Sequence, residues 1–295
     1  MLKLSIIIAA FNNVSLLEEC LISLKGQGEM PDTEILVVSN YFTGIKELME
    51  GKFPYVKYLC CSPRTTVPEL RTQGILHTTG DIAALTEDHC VFDSHWCSEI
   101  KKAHESSYSI IGGSVENKSN RLWDWAIYFY DYGRYMLPNA PGTVSALSGI
   151  NVSYKRLLLN KIKPVFQNGF FETFIHLKLT DGGSPLYLMP SAIVYHNKSY
   201  KIKEAFVQSY HHGRSFAGMR TSDASFFKRS IFILGAIILP LLLPLRVALG
   251  ILKKGRHIKE LALSFPYLVL LMISWSYGEF CGYLLGAGDS AASWR

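Results

Sequence analysis

The sequence predicts an α/β protein: a mostly parallel sheet with helices on both faces, followed by apolar helices at the C-terminal end. Three observations carry this reading. Strand-like and helix-like patterns alternate through residues 1–90. The strands among them are continuous apolar runs, the mark of strands buried on both faces. Near residue 225 the composition shifts, and two long apolar stretches follow.

The elements follow in order. Residues 4–9 are an apolar run closed by Asn12 and Asn13, which reads as a buried first strand. Residues 14–24 place Leu16, Leu17, Cys20, Leu21 and Leu24 on one side of a helix. EILVVS, residues 34–39, is a second strand. Residues 44–49 form a short helix, 56–60 a third strand, 67–77 a helix and 82–86 a fourth strand. Helices follow at 93–105 and 121–135, with a strand at 108–115 between them. Residues 136–148 read as a loop bearing Pro and Gly. Residues 170–179 and 203–219 are helical. Residues 231–252 contain one charge, Arg246, and two prolines, Pro240 and Pro244. Residues 261–285 are the second apolar stretch. Each has the ~20 apolar residues that a spanning helix needs. The prolines and basic ends of the first also suit a re-entrant hairpin or an interfacial helix. The expected division is a catalytic domain over 1–225 and a membrane-associated region over 226–295.

Bulk properties agree. The chain has 295 residues, 48% of them apolar, and a formal charge of +6. The basic excess sits beside the apolar runs, at Lys228-Arg229 and at Lys253, Lys254, Arg256 and Lys259. That placement suits anionic lipid head groups rather than nucleic acid. None of the six cysteines forms a CxxC pair, so reduced thiols fit better than a disulfide framework. The N-terminal apolar run is short and lacks a small-residue cleavage site, so it reads as a strand and not as a secretory signal.

Open α/β sheets bind ligands beyond the carboxyl ends of their strands. Asn12, Ser39-Asn40 and Glu87-Asp88-His89 all fall at such ends. LTEDHC, residues 85–90, sets two carboxylates beside an imidazole. Oxygen ligands suit Mg²⁺ or Mn²⁺, and one imidazole moves preference toward Mn²⁺. A solvated turn with a helix-capping Asp fits the same residues. Glu172 lies among Phe170, Phe171 and Phe174, where burial disfavours its charged form and suits proton abstraction. A first-turn Glu complementing a helix dipole fits equally well. His196 ends an apolar run and is either a further imidazole ligand or a structural residue. Gln208-Ser-Tyr-His211-His212 lies on a helix whose adjacent histidines point to different faces, so they form no ready-made metal pair. The aromatic segment 122–135, which includes Trp123, either stacks on the rings of a ligand, meets a lipid surface or packs as an ordinary helix.

Taken together these residues carry a resemblance. SIIIAAFNN, EILVVSN, ELRTQGILHTTGDIAALTEDHC, SGINVSYKR and GFFETFIHLKL occur in the order of the family 2 inverting glycosyltransferases of GT-A fold, over roughly residues 2–220. The resemblance implies transfer of a sugar from a nucleotide-sugar donor to a hydroxyl or phosphate acceptor, with inversion and with a divalent cation, Mn²⁺ or Mg²⁺. It implies a donor site of Asn12, Ser39, Asn40, Arg71, Glu87 and Asp88. It implies metal ligands Asp88, His89 and His196, and Glu172 as the catalytic base. Gly149 and Asn151 of SGINVSYKR, with Trp123 and Gln208, are expected on the acceptor side.

Two departures stand out. His89 replaces an acidic residue of the family's Asp-x-Asp, and Ser39-Asn40 replaces an acidic pair. Where processive synthases carry Gln-x-x-Arg-Trp, this chain has Gln208-Ser-Tyr-His-His, so non-processive transfer is expected. The apolar stretches point to a lipid-linked or polysaccharide acceptor, membrane lipids as partners, and a cytoplasmic-membrane location with the catalytic domain facing the cytoplasm. The rival reading is a membrane-anchored nucleotide-sugar-binding protein without turnover. A dinucleotide-dependent oxidoreductase is rejected, because Phe11-Asn12-Asn13 stands where a G-x-G-x-x-G would follow the first strand.

Overall fold

A computed structural model of the protein describes residues 2–27, 32–41, 43–222 and 224–293. The first half contains β1 (Leu4–Ala10), α1 (Val14–Leu24), β2 (Thr33–Ser39), α2 (Ile45–Lys52), β3 (Lys57–Cys60), α3 (Val67–Leu76), β4 (Ile82–Glu87), β5 (Cys90–Phe92), α4 (Trp96–Ala103) and β6 (Ile110–Asn117). Then come α5 (Leu122–Asp131), β7 (Gly142–Val144), β8 (Val152–Lys155), α6 (Arg156–Ile162), α7 (Glu172–Asp181), β9 (Leu186–His196), α8 (Ile202–Arg220), α9 (Phe226–Lys254) and α10 (Ile258–Leu285).

These elements form two compact units. The first comprises Met1–Lys118 and Tyr135–Asn197. It holds a nine-stranded sheet of order β3-β2-β1-β4-β8-β6-β9-β5, with β7 also on β9. β1 to β4 pair in parallel. β8 enters antiparallel between β4 and β6. β9 runs parallel to β6, and β5 and β7 run antiparallel to β9. The sheet is therefore mixed. Every residue of β1 is buried, so the sheet is covered on both faces at its centre. Fully burying each Ile or Leu there stabilises by about 1.5–3 kcal/mol.

Local chemistry sets the elements that carry the site. The Asn13 side chain caps α1 by accepting from Leu16 N–H at 3.0 Å. Glu69 accepts from Thr66 N–H at 2.7 Å and so starts α3, with Pro68 in its first turn. Gly74 lets α3 lie close on β1, since a Cβ there would meet Ile7 Cγ2 at 2.1 Å. The pairing of β6 with β9 shifts register after Gly113. A Cβ at Gly113 would lie 1.8 Å from the Ala192 carbonyl, so only glycine fits that irregularity.

Glu34 ties the amino ends of the parallel strands together. It accepts from Ser5 Oγ at 2.7 Å, Thr79 N–H at 2.8 Å and Lys57 Nζ at 3.2 Å. Burial opposes its ionisation, but these three partners outweigh burial and bring it down to about 2. A carboxylate that ionises more readily when folded stabilises above its unfolded value and loses that contribution as pH falls through the folded one. Glu34→Gln is therefore expected to unfold at a lower temperature than wild type at pH 7. The gap should close between pH ~4.5 and pH ~2, read by thermal melts across that range.

The second unit comprises Ser119–Arg134 and Lys198–Arg295. α9 and α10 in it are long and apolar enough to cross a membrane. The change in composition at 225 falls inside this unit, because α5 and α8 pack on α10. α8 and α10 meet through glycines. A Cβ on Gly213 would strike the Trp275 carbonyl at 2.2 Å, and one on Gly278 the Tyr210 carbonyl at 2.1 Å. The aromatic segment proves to be a shorter helix than expected. α5 ends at Asp131, and residues 133–135 form a 3-10 turn.

Candidate active site

The carboxyl ends of β1 and β4 lie side by side because those strands pair in parallel register from Leu4↔Ile82 to Ala9↔Glu87. Asp88, one residue past β4, is fully buried and bolts the two ends together. Its carboxylate accepts from Phe11 N–H at 3.1 Å, from Asn12 N–H at 2.9 Å and from the Asn12 side-chain amide. Its own N–H donates to the Ala9 carbonyl at 3.2 Å. Asp88 thus fixes the turn that presents Phe11 and Asn12.

His89 immediately precedes the short strand β5, which runs antiparallel to the end of β9, with Cys90 opposite His196. Asn197 N–H donates to the His89 carbonyl at 2.9 Å. This pairing brings together two histidines that are 107 positions apart in sequence. Their ring centroids are 4.9 Å apart, edge to face, and both rings are buried. His89 Nδ1 lies 3.6 Å from Glu87 Oε2 and 4.0 Å from Asp88 Oδ1. Among the described residues no group of three His, Cys, Asp or Glu side chains stands arranged to hold a metal ion. The donor chemistry nevertheless suits a divalent cation: two imidazoles lie edge to face, with the Glu87 carboxylate beside one of them.

Arg71 joins this cluster to Glu172. It projects from α3, with only 4% of its surface exposed. Nη2 donates to Glu87 Oε1, and Nη1 donates to Glu172 Oε2. Only the delocalised fork of an arginine serves two carboxylates in this way. Glu172 is the first residue of α7. The loop before it is held to α3 by the Phe170 N–H to Pro68 carbonyl bond, at 2.8 Å. Phe170 turns into the core against Tyr154, at 5.3 Å between ring centroids. Glu172 meets Arg71 instead, with 18% of its side chain exposed.

Gly149 leaves the space that Glu172 occupies. A Cβ at position 149 would lie 2.6 Å from Glu172 Oε1 and 2.7 Å from its Cδ. A flexible side chain yields to such a clash, so Gly149→Ala should move the carboxylate and leave the fold intact. Misplacing a reacting group by about 1 Å costs on the order of 10²-fold in rate. That loss in kcat is the expected result for Gly149→Ala, with a lower thermal midpoint to the extent that the shift loosens the Glu172–Arg71 pair.

The other expected residues have differing tasks. Ser39 is buried and closes a turn, its Oγ donating to the Tyr41 carbonyl at 2.7 Å and accepting from Tyr41 N–H at 3.0 Å. Asn40 donates its amide to the Thr65 carbonyl at 3.0 Å, ordering the segment before α3. Asn151, expected on the acceptor side, is fully buried, and its amide braces the β6–β9 irregularity. It donates to the Ser114 and Ala192 carbonyls, both at 2.8 Å, and accepts from Trp96 Nε1 at 2.9 Å. Trp123 and Gln208 belong to the second unit. Trp123 packs there on Phe206 and Tyr267, and Gln208 is half-buried on α8.

Three residues near the site were not anticipated. Tyr154 OH and His176 Nε2 are 2.7 Å apart, both buried. Burial brings the His176 imidazole down to about 4, against an opposing pull from Glu172. Burial pushes the Tyr154 phenol well up, and the charge of Glu172 adds to it. Tyr41, past β2, is likewise pushed up by burial and then by the charge of Asp88. Tyr154 and His176 stay neutral beside Glu172 and Arg71. One sequence signal could have pointed to His176, which falls one helical turn after Glu172.

Known proteins carry the same architecture. The profile described as "Glycosyl transferase family 2" matches residues 5–163, more than half of the chain. No curated protein sequence matches significantly. Among solved structures, the chain resembles a mannosyltransferase, PcManGT, from Pyrobaculum calidifontis in complex with GDP-Man and Mn²⁺. The TM-score is 0.55 at 15% identity, over 97% of this chain and 86% of that one. It also resembles GalNAc-T7 with UDP, GalNAc and Mn²⁺, with a TM-score of 0.50 at 14% identity, over 66% of this chain and 44% of that one. These likenesses identify the fold as GT-A-like, and the profile match assigns the family. The chain belongs to glycosyl transferase family 2.

Proposed function

We propose that the protein transfers a sugar from a nucleotide-sugar donor to a hydroxyl of a lipid-linked or membrane-delivered acceptor, in one displacement with inversion. The observation that carries this reading is the buried bridge Glu87–Arg71–Glu172. It sets a carboxylate at a fixed place beside the strand ends where a GT-A-like sheet offers a ligand site. Both similar structures are complexes with Mn²⁺ and a nucleotide or nucleotide sugar, which supports the same donor class here.

Asn12, Asn40 and Glu87 line the donor side, while Asp88 and Ser39 hold the turns that present them. His89 and His196 would hold a divalent cation. When bound, the cation supplies positive charge to the leaving diphosphate. Glu172 accepts the proton of the acceptor hydroxyl. The hydroxyl oxygen forms a bond to the anomeric carbon as the bond to the diphosphate oxygen breaks. Nucleoside diphosphate leaves with that electron pair. Arg71 keeps Glu172 in place for the attack, and the buried neutral pair Tyr154–His176 backs it. Gln208-Ser-Tyr-His-His supports single transfer over processive polymerisation, and α9 and α10 support a membrane setting.

The test is a panel of nucleotide sugars with Mn²⁺ or EDTA, followed by NMR of the product's anomeric centre. One donor consumed only with metal, giving the opposite anomer, supports the proposal. Retained configuration overturns the single displacement. Donor binding without any turnover favours a binding protein instead.

A further inference from the structure

Within the second unit, the surroundings of α10 decide how its apolar helices meet a bilayer. α8 runs alongside α10 in the same direction. Ser274 Oγ donates to the Phe206 carbonyl, a Cβ on Gly278 would strike the Tyr210 carbonyl, and one on Gly282 the Arg214 carbonyl. Phe206 is thus level with Ser274, close to the middle of α10. The start of α8 lies level with that middle. There Lys201 and Glu204 form an ion pair whose side chains are 85% and 57% exposed. α5 covers the earlier turns of α10. Trp123 meets Tyr267 at 5.3 Å, and Trp125 meets His257 at 4.5 Å. A spanning α10 would drag the start of α8 and its exposed ion pair into hydrocarbon, where ionised side chains are costly.

α9 has a different outer surface. Only Ala236, Pro244 and Ile251 of its 29 residues are buried. Leu234, Ile237, Leu241, Leu245, Leu249 and Leu252 point outward, each at least 49% exposed. This stripe has helical spacing and covers residues 234–252, about 27 Å at 1.5 Å per residue. Arg246 is the one charge on it, and its long stem lets the head reach the surface. The two ends of the helix are basic. Lys228 and Arg229 stand at one end, and Lys253, Lys254, Arg256 and Lys259 stand at the other, around the turn into α10. A helix lying in the head-group plane places both basic ends at the same depth, against anionic lipid. A spanning hairpin would carry the basic turn across the membrane, against the bias that retains Lys and Arg on one side.

We infer that α9 lies in the plane of one leaflet, its outer stripe in the acyl region and both basic ends at anionic head groups. On this inference α5 and α8 face water, and neither α9 nor α10 crosses. The inference rests on the proposed membrane setting and adds its geometry.

Single cysteines at Lys228→Cys and Lys253→Cys test it in sealed inverted vesicles from an expressing bacterial host. The probe is a membrane-impermeant maleimide, with the wild-type background subtracted. Both sites labelling from the same face is the expected result. Labelling from opposite faces overturns the in-plane placement but keeps the membrane setting. Recovery of the wild-type protein only in the soluble fraction overturns the membrane setting itself. A second variant, Leu241→Glu/Leu245→Glu, should shift the protein from vesicles containing phosphatidylglycerol to the supernatant, still folded by circular dichroism. Undiminished binding by that variant contradicts the inference, because the stripe would then not be the buried face.

Discussion

Glu172→Gln should lower kcat by about 10²- to 10⁴-fold, the usual contribution of a positioned general base. Glutamine keeps the size of the side chain and can still accept a hydrogen bond from Arg71 through its amide oxygen. It cannot take up the acceptor's proton. On the proposed assignment donor affinity should change little, because the donor side is carried by Asn12 and Asn40, past β1 and β2, and by Glu87 at the end of β4. The check is a comparison of kcat with the donor dissociation constant on the same preparation. A variant with kcat within about threefold of wild type would remove Glu172 from the chemistry, since a base contributes at least about 10²-fold.

Arg71→Met should have the largest effect on stability. It removes the shared partner of Glu87 and Glu172 and leaves both carboxylates facing an apolar side chain in a largely buried site. Breaking a buried ion pair by removing one partner costs about 3–5 kcal/mol, because the remaining charge is uncompensated. Denaturant unfolding in detergent measures the loss. Arg71→Lys separates charge from geometry. A single ammonium keeps the charge but cannot span two carboxylates as the planar fork does. It should recover much of the stability and little of the rate. Full recovery of both would mean that the charge alone matters and that the bridge has no positioning role.

The parallel half of the sheet was legible because its strands are continuous apolar runs set between helices of clear period. The ends of those runs were legible too, and the structure brings Asn12, Asp88 and His89 together there. Of the antiparallel half, only β6 was legible. β5, β7 and β8 have three or four residues each, too few to show a period. β9 is broken at the irregularity opposite Gly113, and Pro190 interrupts its apolar pattern. The meeting of His89 with His196 therefore depends on a pairing that no local pattern announces. Asn151 shows the limit most clearly. Its segment was recognised, but the carbonyls that its amide satisfies are set by the β6–β9 register, which is a tertiary fact. The same holds for Arg71. Its place on α3 was readable, whereas its second carboxylate, Glu172, lies 101 residues away. Residues 203–219 read as a helix, but only the close glycine contacts show how tightly α8 lies on α10.

The most direct test of the whole account is acceptor-dependent release of nucleoside diphosphate in nanodiscs with Mn²⁺, for wild type, His89→Ala and Glu172→Gln. The expected result is release from one donor by the wild type, loss in both variants, and partial recovery of His89→Ala as Mn²⁺ is raised. Recovery with metal should not occur for Glu172→Gln, whose defect is in proton transfer. Release by both variants at the wild-type rate would contradict the assignment of this site.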